Sequence, residues 1–352
     1  MPQTECKTVE LALQGGGAHG AFTWGVLDRL LQDERIRIEG ISGTSAGAMN
    51  AVVLADGMRR AGTKGARAAL HEFWCAVSRA ARFSPFQRTL LDRLLGRWSL
   101  DTSPSHLLMD MLSRLVSPYD MNPWNLNPLR DLLLAQVDFD RVNSCEDVKL
   151  FITATNVRTG HAKIFRQPYI SAEAVLASAC LPYLYRAIEI DGEEYWDGGY
   201  AGNPALYPLV DECAARDMII VQINPIVREE RPRKARDILN RLNEVTFNSS
   251  LIKELRSIVL LKELIEAERL EHEEYRNMLI HRISADEELK PLGVSSKLNA
   301  EWPFLIHLRD IGQQVTNAWL AENFDRLGRE STFDVGSLFI DSFRLPRGTE
   351  LQ

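Results

Sequence analysis

Ser45 stands in the segment GTSAG, residues 43–47, where the apolar run IRIEGIS ends and a stretch of small residues begins. A serine on a tight strand-to-helix turn exposes its hydroxyl, and the positive end of the following helix favours negative charge beside it. Ser45 is therefore a candidate nucleophile for acyl transfer, and Gly43 and Gly47 would let the backbone make the turn. The alternative is a small-residue turn packed beneath a helix.

A second candidate for chemistry is the glycine run in LQGGGAHG, residues 13–20. Consecutive glycines allow backbone N–H groups to converge on an anion. As G-x-G-x-x-G, through Gly15, Gly17 and Gly20, the run could bind a dinucleotide, but the serine turn occupies the place of the required acidic residue. We favour an oxyanion hole formed by the N–H groups of Gly16 and Gly17. A purely structural glycine turn is the third interpretation.

No histidine lies near Ser45 in sequence, so another residue has to take its proton. The segment EEYWDGGYAGN, residues 193–203, offers Asp197, followed by Gly198 and Gly199, with no bulky neighbour to keep another loop away. A carboxylate is a weaker base than imidazole, so it has to lie close to the serine and away from water. Taken alone, the segment favours an ordinary Asp-Gly-Gly turn over a catalytic residue.

The elements that must position these residues follow from hydrophobic periodicity. A strand at 8–14, a helix at 21–34, a strand at 36–42 and a helix at 46–62 indicate a parallel sheet covered by helices. Further along, the patterns predict a mainly helical stretch at 66–136, strands at 148–157 and 217–224, a helix at 171–181, a hairpin at 186–196, a charged connection at 227–237, an amphipathic helix at 238–275 and a helix around 308–328.

The composition is that of a globular protein, with 45% hydrophobic and 25% charged residues in a chain of 352. A net charge of -7 argues against nucleic acid as a partner. The five cysteines are scattered, so neither a disulfide framework nor a zinc site is expected, and a reduced cytoplasmic location is favoured. No signal peptide and no run of about 18 apolar residues is apparent.

Together the three motifs resemble those of the patatin-like phospholipase family over about residues 8–210, in both order and spacing. The resemblance implies a three-layer α/β/α sandwich with a mostly parallel central sheet, and a Ser-Asp dyad that cleaves lipid acyl esters. It makes Ser45 the nucleophile and Asp197 the base. Gly16 and Gly17 become the oxyanion donors, and the supporting motif glycines are Gly15, Gly20, Gly43, Gly47, Gly198 and Gly199.

The same resemblance sets the expected organisation and function. Residues 8–210 would form a catalytic domain with a helical insertion at about 66–136, and residues 211–352 a last core strand with a mainly helical region packed on it. The expected activity is that of a lipid acyl hydrolase of phospholipase A, lysophospholipase or carboxylesterase type, without cofactor or metal. Its partners would be lipid or acyl-ester substrates, with transient contact at a membrane surface.

Two other functions remain open, and one residue departs from the family pattern. The chain could be a non-catalytic protein that binds lipid or granule surfaces, or a Ser-His-Asp esterase using His161, His281 or His307. His19 stands where the family usually has arginine or lysine before the last glycine of its first motif. This departure bears on phospholipid preference more than on ester hydrolysis.

Apolar residues between the serine and the aspartate could line a groove for an acyl chain or could pack in the core. They are Trp74, Trp98, Met109, Met111, Met121 and Trp124.

Overall fold

The computed structural model describes residues 6–84, 86–266 and 276–339. Its centre is an eight-stranded sheet in the order β5-β6-β3-β2-β1-β7-β8, with β4 paired to β3. The strands are β1 Lys7–Leu13, β2 Ile36–Thr44, β3 Lys149–Asn156, β4 Ala162–Arg166, β5 Ile188–Ile190, β6 Glu193–Asp197, β7 Asp217–Gln222 and β8 Leu279–Ser284. The five neighbouring strands β3, β2, β1, β7 and β8 are parallel to one another. The pairings of β4 with β3, β6 with β3 and β5 with β6 are antiparallel.

Helices cover both faces of this sheet. They are α1 Gly20–Gln32, α2 Ala46–Ala80, α3 Leu90–Leu94, α4 Pro104–Leu115, α5 Pro118–Met121, α6 Pro128–Gln136, α7 Phe139–Asn143, α8 Ala172–Ser178, α9 Tyr207–Glu212, α10 Ala235–Glu266, α11 Asp286–Leu289 and α12 Trp302–Asn323. Short 3-10 segments lie at Gly17–His19, Ala81–Phe83, Gly198–Tyr200, Val294–Leu298, Phe324–Arg326 and Gly336–Phe339.

Successive side chains of a strand point to opposite faces, and β1 shows how this divides the core. Leu11 and Leu13 lie in the larger hydrophobic cluster, with residues of α1, α2, α8 and α12. Ala12 lies in a second cluster, with Leu209 of α9 and Leu251 of α10. The expected three-layer α/β/α sandwich is therefore confirmed.

The predicted hairpin at 186–196 is present as β5 and β6. Its two turn residues, Asp191 and Gly192, have φ angles of 53° and 77°. Positive φ at both positions is what a two-residue turn between twisted strands requires, and Asp-Gly supplies it at low cost.

The C-terminal region differs from the expectation in one respect. β7 is not the last strand of the sheet, because β8 pairs parallel to it from Asp217 to Gln222. The sequence LIHRIS of β8 is not a continuous apolar run, which is why the pattern did not reveal it. The sheet thus continues across the predicted boundary at 210/211, with β7 between β1 and β8.

The predicted insertion also begins later than residue 66. Helix α2 continues to Ala80, with non-helical dihedral angles only at Ala61 and Gly62, and Leu70 and Phe73 lie in the main core. The separate short helices start after this helix. In the C-terminal half, α10 covers most of the predicted helix at 238–275, and residues 267–275 lie outside the described residues.

Among the described residues, no helix combines the length and the apolar character needed to cross a bilayer.

Candidate active site

Ser45 lies directly between the end of β2 and the start of α2. Its backbone has φ 54° and ψ -119°, a region that non-glycine residues rarely adopt. The Ser45 N–H donates to the Ser178 hydroxyl at the end of α8, at 2.8 Å. Strained backbone of this kind persists where the surroundings hold it in place, and it often marks a functional residue. The segment therefore has the conformation expected of a nucleophile turn.

Close packing explains the glycines around this turn. A Cβ on Gly47 would collide with the carbonyl oxygen of Leu13, so the first turn of α2 rests directly on the end of β1. The other motif glycines also have an atom within 3 Å of the position that a Cβ would take, namely Gly15, Gly16, Gly17, Gly20, Gly43, Gly198 and Gly199.

Asp197, the last residue of β6, is brought to the serine by the pairing of β6 with β3, the neighbour of β2. The Ser45 hydroxyl is close enough to the Asp197 carboxylate to lower the pKa of Asp197. The Gly199 N–H donates a hydrogen bond to Asp197 Oδ1 at 2.7 Å. The Asp197 backbone N–H donates to the Cys180 carbonyl at 2.7 Å, which anchors the residue from the other side.

Burial governs the electrostatics of Asp197, which is only 1% exposed. Loss of solvation raises the pKa of Asp197 to about 7, while the Gly199 N–H, the Ser45 hydroxyl and the charge of Lys297 act in the opposite direction. Burial also raises the pKa of the neighbouring Cys180 thiol and Tyr200 hydroxyl to about 12, so both remain protonated at neutral pH. A carboxylate whose pKa lies near 7 is well matched to general-base work at that pH.

The glycine run lies against the serine turn, because a Cβ on Gly15 would come within 2.7 Å of the Ser45 Cβ. The Gly15 N–H is already used, since it donates to Asn203 Oδ1 at 2.7 Å. Gly16 and Gly17 open the 3-10 segment, where backbone N–H groups have no acceptor within the helix. Neither N–H has a hydrogen-bond acceptor in the part of the chain that the structure describes. Both are free to bind an oxyanion.

Several residues around the site were not predicted from the sequence. Ser178 and Asn203 hold the serine turn and the glycine run, and Lys297 approaches the run from the C-terminal region. The Lys297 carbonyl oxygen lies 2.5 Å from the Cβ position of Gly17. Asn203 at least follows the Asp-Gly-Gly segment closely in sequence, whereas nothing local distinguishes Lys297.

His19, the residue that departs from the family pattern, is buried and neutral. Its Nε2 lies 2.8 Å from the Ser296 hydroxyl, which itself donates to the Gly293 carbonyl at 2.7 Å. The single hydroxyl proton is thereby used, so His19 Nε2–H must be the donor. Burial, together with the charge of Lys297, lowers the pKa of His19 to about 3.

The three histidines considered as alternative bases lie elsewhere. The His281 Nε2 lies 2.9 Å from Asp217 Oδ1 and its Nδ1 3.0 Å from Thr332 Oγ1, so both ring nitrogens are occupied. His307 stacks on Trp98, and His161 is exposed between β3 and β4. None of the three bonds to Ser45 or Asp197 within the described chain.

Among solved structures, VipD from Legionella pneumophila is similar to this chain at 17% identity and a TM-score of 0.36, over 87% of this chain and 67% of VipD. ExoU from Pseudomonas aeruginosa, in complex with SpcU, is similar at 16% identity and a TM-score of 0.29; the match covers 89% of this chain and spans only 53% of the ExoU chain. Scores this low carry no weight for fold or activity. No curated protein matches the sequence significantly.

The comparison with protein families is more informative. Residues 11–210 match the family model described as patatin-like phospholipase. The matched segment contains the glycine run, the serine turn and Asp197, and it covers more than half of the 352 residues. The chain belongs to the patatin-like phospholipase family.

Proposed function

We propose that this protein is a lipid acyl hydrolase in which Ser45 is the nucleophile and Asp197 the base. The observation that carries the proposal is the placement of Ser45, on a strained strand-to-helix turn, beside a buried carboxylate whose pKa burial raises to about 7 and the Ser45 hydroxyl lowers. Membership of the family supports lipid hydrolysis as the activity. The free N–H groups of Gly16 and Gly17 beside the serine support an acyl-transfer mechanism.

The reaction would proceed through an acyl-enzyme. Asp197 accepts the hydroxyl proton as Ser45 Oγ attacks the ester carbonyl carbon, and the N–H groups of Gly16 and Gly17 hold the oxyanion. When the carbon–oxygen bond to the alcohol breaks, Asp197 returns the proton to that alcohol. A water molecule then attacks the acyl-enzyme, again giving its proton to Asp197. The proton passes back to Ser45 Oγ as the fatty acid leaves.

An apolar surface near the site favours lipid as the source of substrate. Residues 90–126 expose many large apolar side chains, namely Leu90, Leu91, Leu94, Leu95, Leu107, Leu108, Met111, Leu115, Tyr119, Trp124 and Leu126. This segment is tied to both sides of the site. The Leu100 N–H donates to Ser295 Oγ at 3.1 Å, beside the Val294–Leu298 turn residues that contact the glycine run. Arg186 donates to the Tyr119 carbonyl at 2.7 Å, close to Cys180 and Asp197.

We propose that this apolar segment, residues 90–126, rests on the surface of a lipid bilayer during catalysis. It holds three arginines and four aspartates, so apolar contact rather than charge would drive the association. Binding to vesicles of phosphatidylcholine alone should therefore occur and should change little with salt. Leu94→Glu and Trp124→Glu together should weaken it, whereas Val227→Glu, on an exposed residue elsewhere, should not. Binding that requires anionic lipid would contradict the proposal that apolar contact drives the association.

The test of the hydrolase function uses the purified protein with acyl esters of increasing chain length and with a fluorophosphonate probe. We expect hydrolysis and covalent labelling, both abolished by Ser45→Ala and unaffected by Ser257→Ala, an exposed serine on α10. Vesicle binding without hydrolysis or labelling would instead support a non-catalytic lipid-binding protein. Labelling at another serine would contradict the assignment of Ser45.

A further inference from the structure

A chain of hydrogen bonds joins a lysine of the C-terminal region to the glycine run. Lys297 Nζ donates to Asn224 Oδ1 at 2.8 Å. The amide of the same side chain, Asn224 Nδ2, donates to the carbonyl oxygen of Gly15 at 3.0 Å. The carbonyl of Gly15 and the N–H of Gly16 belong to one peptide group. The chain of hydrogen bonds therefore begins at the Lys297 ammonium and ends at the peptide that carries the Gly16 N–H, one of the two proposed oxyanion donors.

The hydrogen bonds from Lys297 through Asn224 make the Gly16 N–H a stronger hydrogen-bond donor. A hydrogen bond to a carbonyl oxygen polarises its peptide and makes the N–H of the same peptide a stronger donor. A charged donor at the head of the chain adds to the effect, because charge-assisted hydrogen bonds are the stronger ones. The bonds also fix the plane of the Gly15–Gly16 peptide, so the orientation of the Gly16 N–H is set before substrate binds.

Lys297 supports the second oxyanion donor as well, through its backbone. Its carbonyl oxygen lies 2.5 Å from the Cβ position of Gly17, so the two backbones are in direct contact. The turn that carries it is held to the same 3-10 segment by the bond between His19 and Ser296, at 2.8 Å. Lys297 thus contacts the Gly17 backbone directly and reaches the Gly15–Gly16 peptide through Asn224.

We propose that Lys297 is a positioning residue for the oxyanion hole, acting through Asn224 on the Gly15–Gly16 peptide. The proposal rests on the hydrolase function proposed above. In this proposal a residue of the C-terminal region, outside the family motifs, contributes to stabilisation of the transition state. Lys297 also places a positive charge near the glycine run, where the motif residue His19 is neutral.

The charge of Lys297 depends on the groups that face it. Asn243 of α10 accepts a second hydrogen bond from Nζ at 2.9 Å. Burial lowers the pKa of Lys297 to about 8, against the negative charges of Glu244 and Asp197, which raise it. Glu244 is itself paired with Arg228, at 2.9 Å, and with Arg241. Lys297 is therefore protonated below about pH 8 and loses its charge above it.

The first arm of the test is the pH dependence of kcat in the wild-type protein. We expect kcat to fall as the pH rises through about 8, where Lys297 loses its proton. In Lys297→Met, which removes the charge and shortens the unbranched side chain by one atom, kcat should fall by about 10-fold or more with KM little changed, and this basic limb should disappear. Lys290→Met, at a half-buried lysine paired with Glu287, is the matched control.

The second arm is Asn224→Asp, which still accepts from Lys297 but cannot donate to Gly15. It should lower kcat as Lys297→Met does, and it keeps the inference testable if that variant does not fold. A flat wild-type kcat above about pH 8, or a Lys297→Met enzyme with unchanged kcat and basic limb, would overturn the inference. Absence of hydrolysis and of Ser45 labelling in the wild type would instead overturn the hydrolase function itself.

Discussion

The Ser45 hydroxyl lies beside the carboxylate of Asp197, which is only 1% exposed and whose pKa the hydroxyl lowers. No histidine forms a hydrogen bond to either side chain within the described residues. The base that we propose for Ser45 is thus a carboxylate whose pKa is raised by burial, and not an imidazole ring. The consequences for activity, pH dependence and stability can each be measured.

The first prediction separates a dyad from a triad. Asp197→Asn keeps the shape of the side chain but cannot accept the serine proton, so nearly all activity should be lost. His161→Ala, His281→Gln and His307→Ala should each retain most of it. Glutamine is chosen at His281 because that ring bonds to Asp217 and Thr332 inside the protein. A histidine variant as inactive as Asp197→Asn would mean that an imidazole is the base.

The second prediction concerns the acid side of the pH profile. Asp197 acts as a base only when ionised, and its pKa is raised to about 7. We therefore expect kcat/KM to fall as the pH drops through about 7, and to do so equally in the three histidine variants. Titration of the wild type and the variants with a soluble ester provides the measurement. A limb lost in any histidine variant would assign the titration to that ring.

The third prediction is that the buried carboxylate of Asp197 lowers the stability of the protein at neutral and higher pH. In the unfolded chain the pKa of Asp197 returns towards 3.8, against about 7 in the folded protein. Both states are protonated well below 3.8, whereas above about 7 the folded state has to hold a buried charge. Asp197→Asn should therefore be more stable than the wild type above about pH 7, by a few kcal/mol at most, with the gain fading towards about pH 4.

Thermal or urea unfolding of both proteins across that pH range measures the difference. Asp217→Asn is a useful comparison, because that buried aspartate is paired with His281 and bonded by the Gly328 N–H. Its loss should destabilise the protein. A gain from Asp197→Asn that does not change with pH would show that the buried charge is not its cause.

The fourth prediction concerns Gly17, whose φ is 57°. Gly17→Ala would press a methyl group on the Lys297 carbonyl and displace one oxyanion N–H. We expect kcat to fall by about 10²–10³-fold while KM changes little, since the donor acts mainly in the transition state. Gly160→Ala imposes a similar backbone cost, at φ 71°, with no atom within 4 Å, and should leave kcat unchanged. Equal losses in both would indicate a general structural effect.

Much of the fold was predictable because local signals agreed. β1, α1, β2 and the start of α2 follow from apolar periodicity interrupted by glycines, and the Asp191-Gly192 turn follows from its dipeptide. β8 was missed for a physical reason. His281 is fully buried within it, and its ring is satisfied by Asp217 and Thr332, which lie 64 and 51 residues away. A buried polar residue of that kind looks like an exposed one in sequence.

The candidate site also contains residues that the sequence predicts and residues that it does not. Ser45, Asp197 and the glycines belong to short motifs whose spacing reflects a local turn or close packing. Asn224 and Lys297 have no such local signal. Asn224 bonds to Gly15, which is 209 residues away in sequence. The Lys297 backbone contacts Gly17 only in the folded chain. Contacts of this type depend on how β7 and the Val294–Leu298 turn dock, which no local pattern encodes.

The position of β7 in the sheet has a practical consequence. The family match ends at residue 210, yet β1 is an interior strand only because β7, Asp217–Gln222, covers one side of it. A fragment ending at 210 would leave the backbone N–H and C=O groups along that side of β1 unpaired. An exposed, long and apolar edge of this kind is a template for intermolecular pairing. We expect such a fragment to aggregate rather than to fold as a minimal enzyme, even though it would contain every motif of the family.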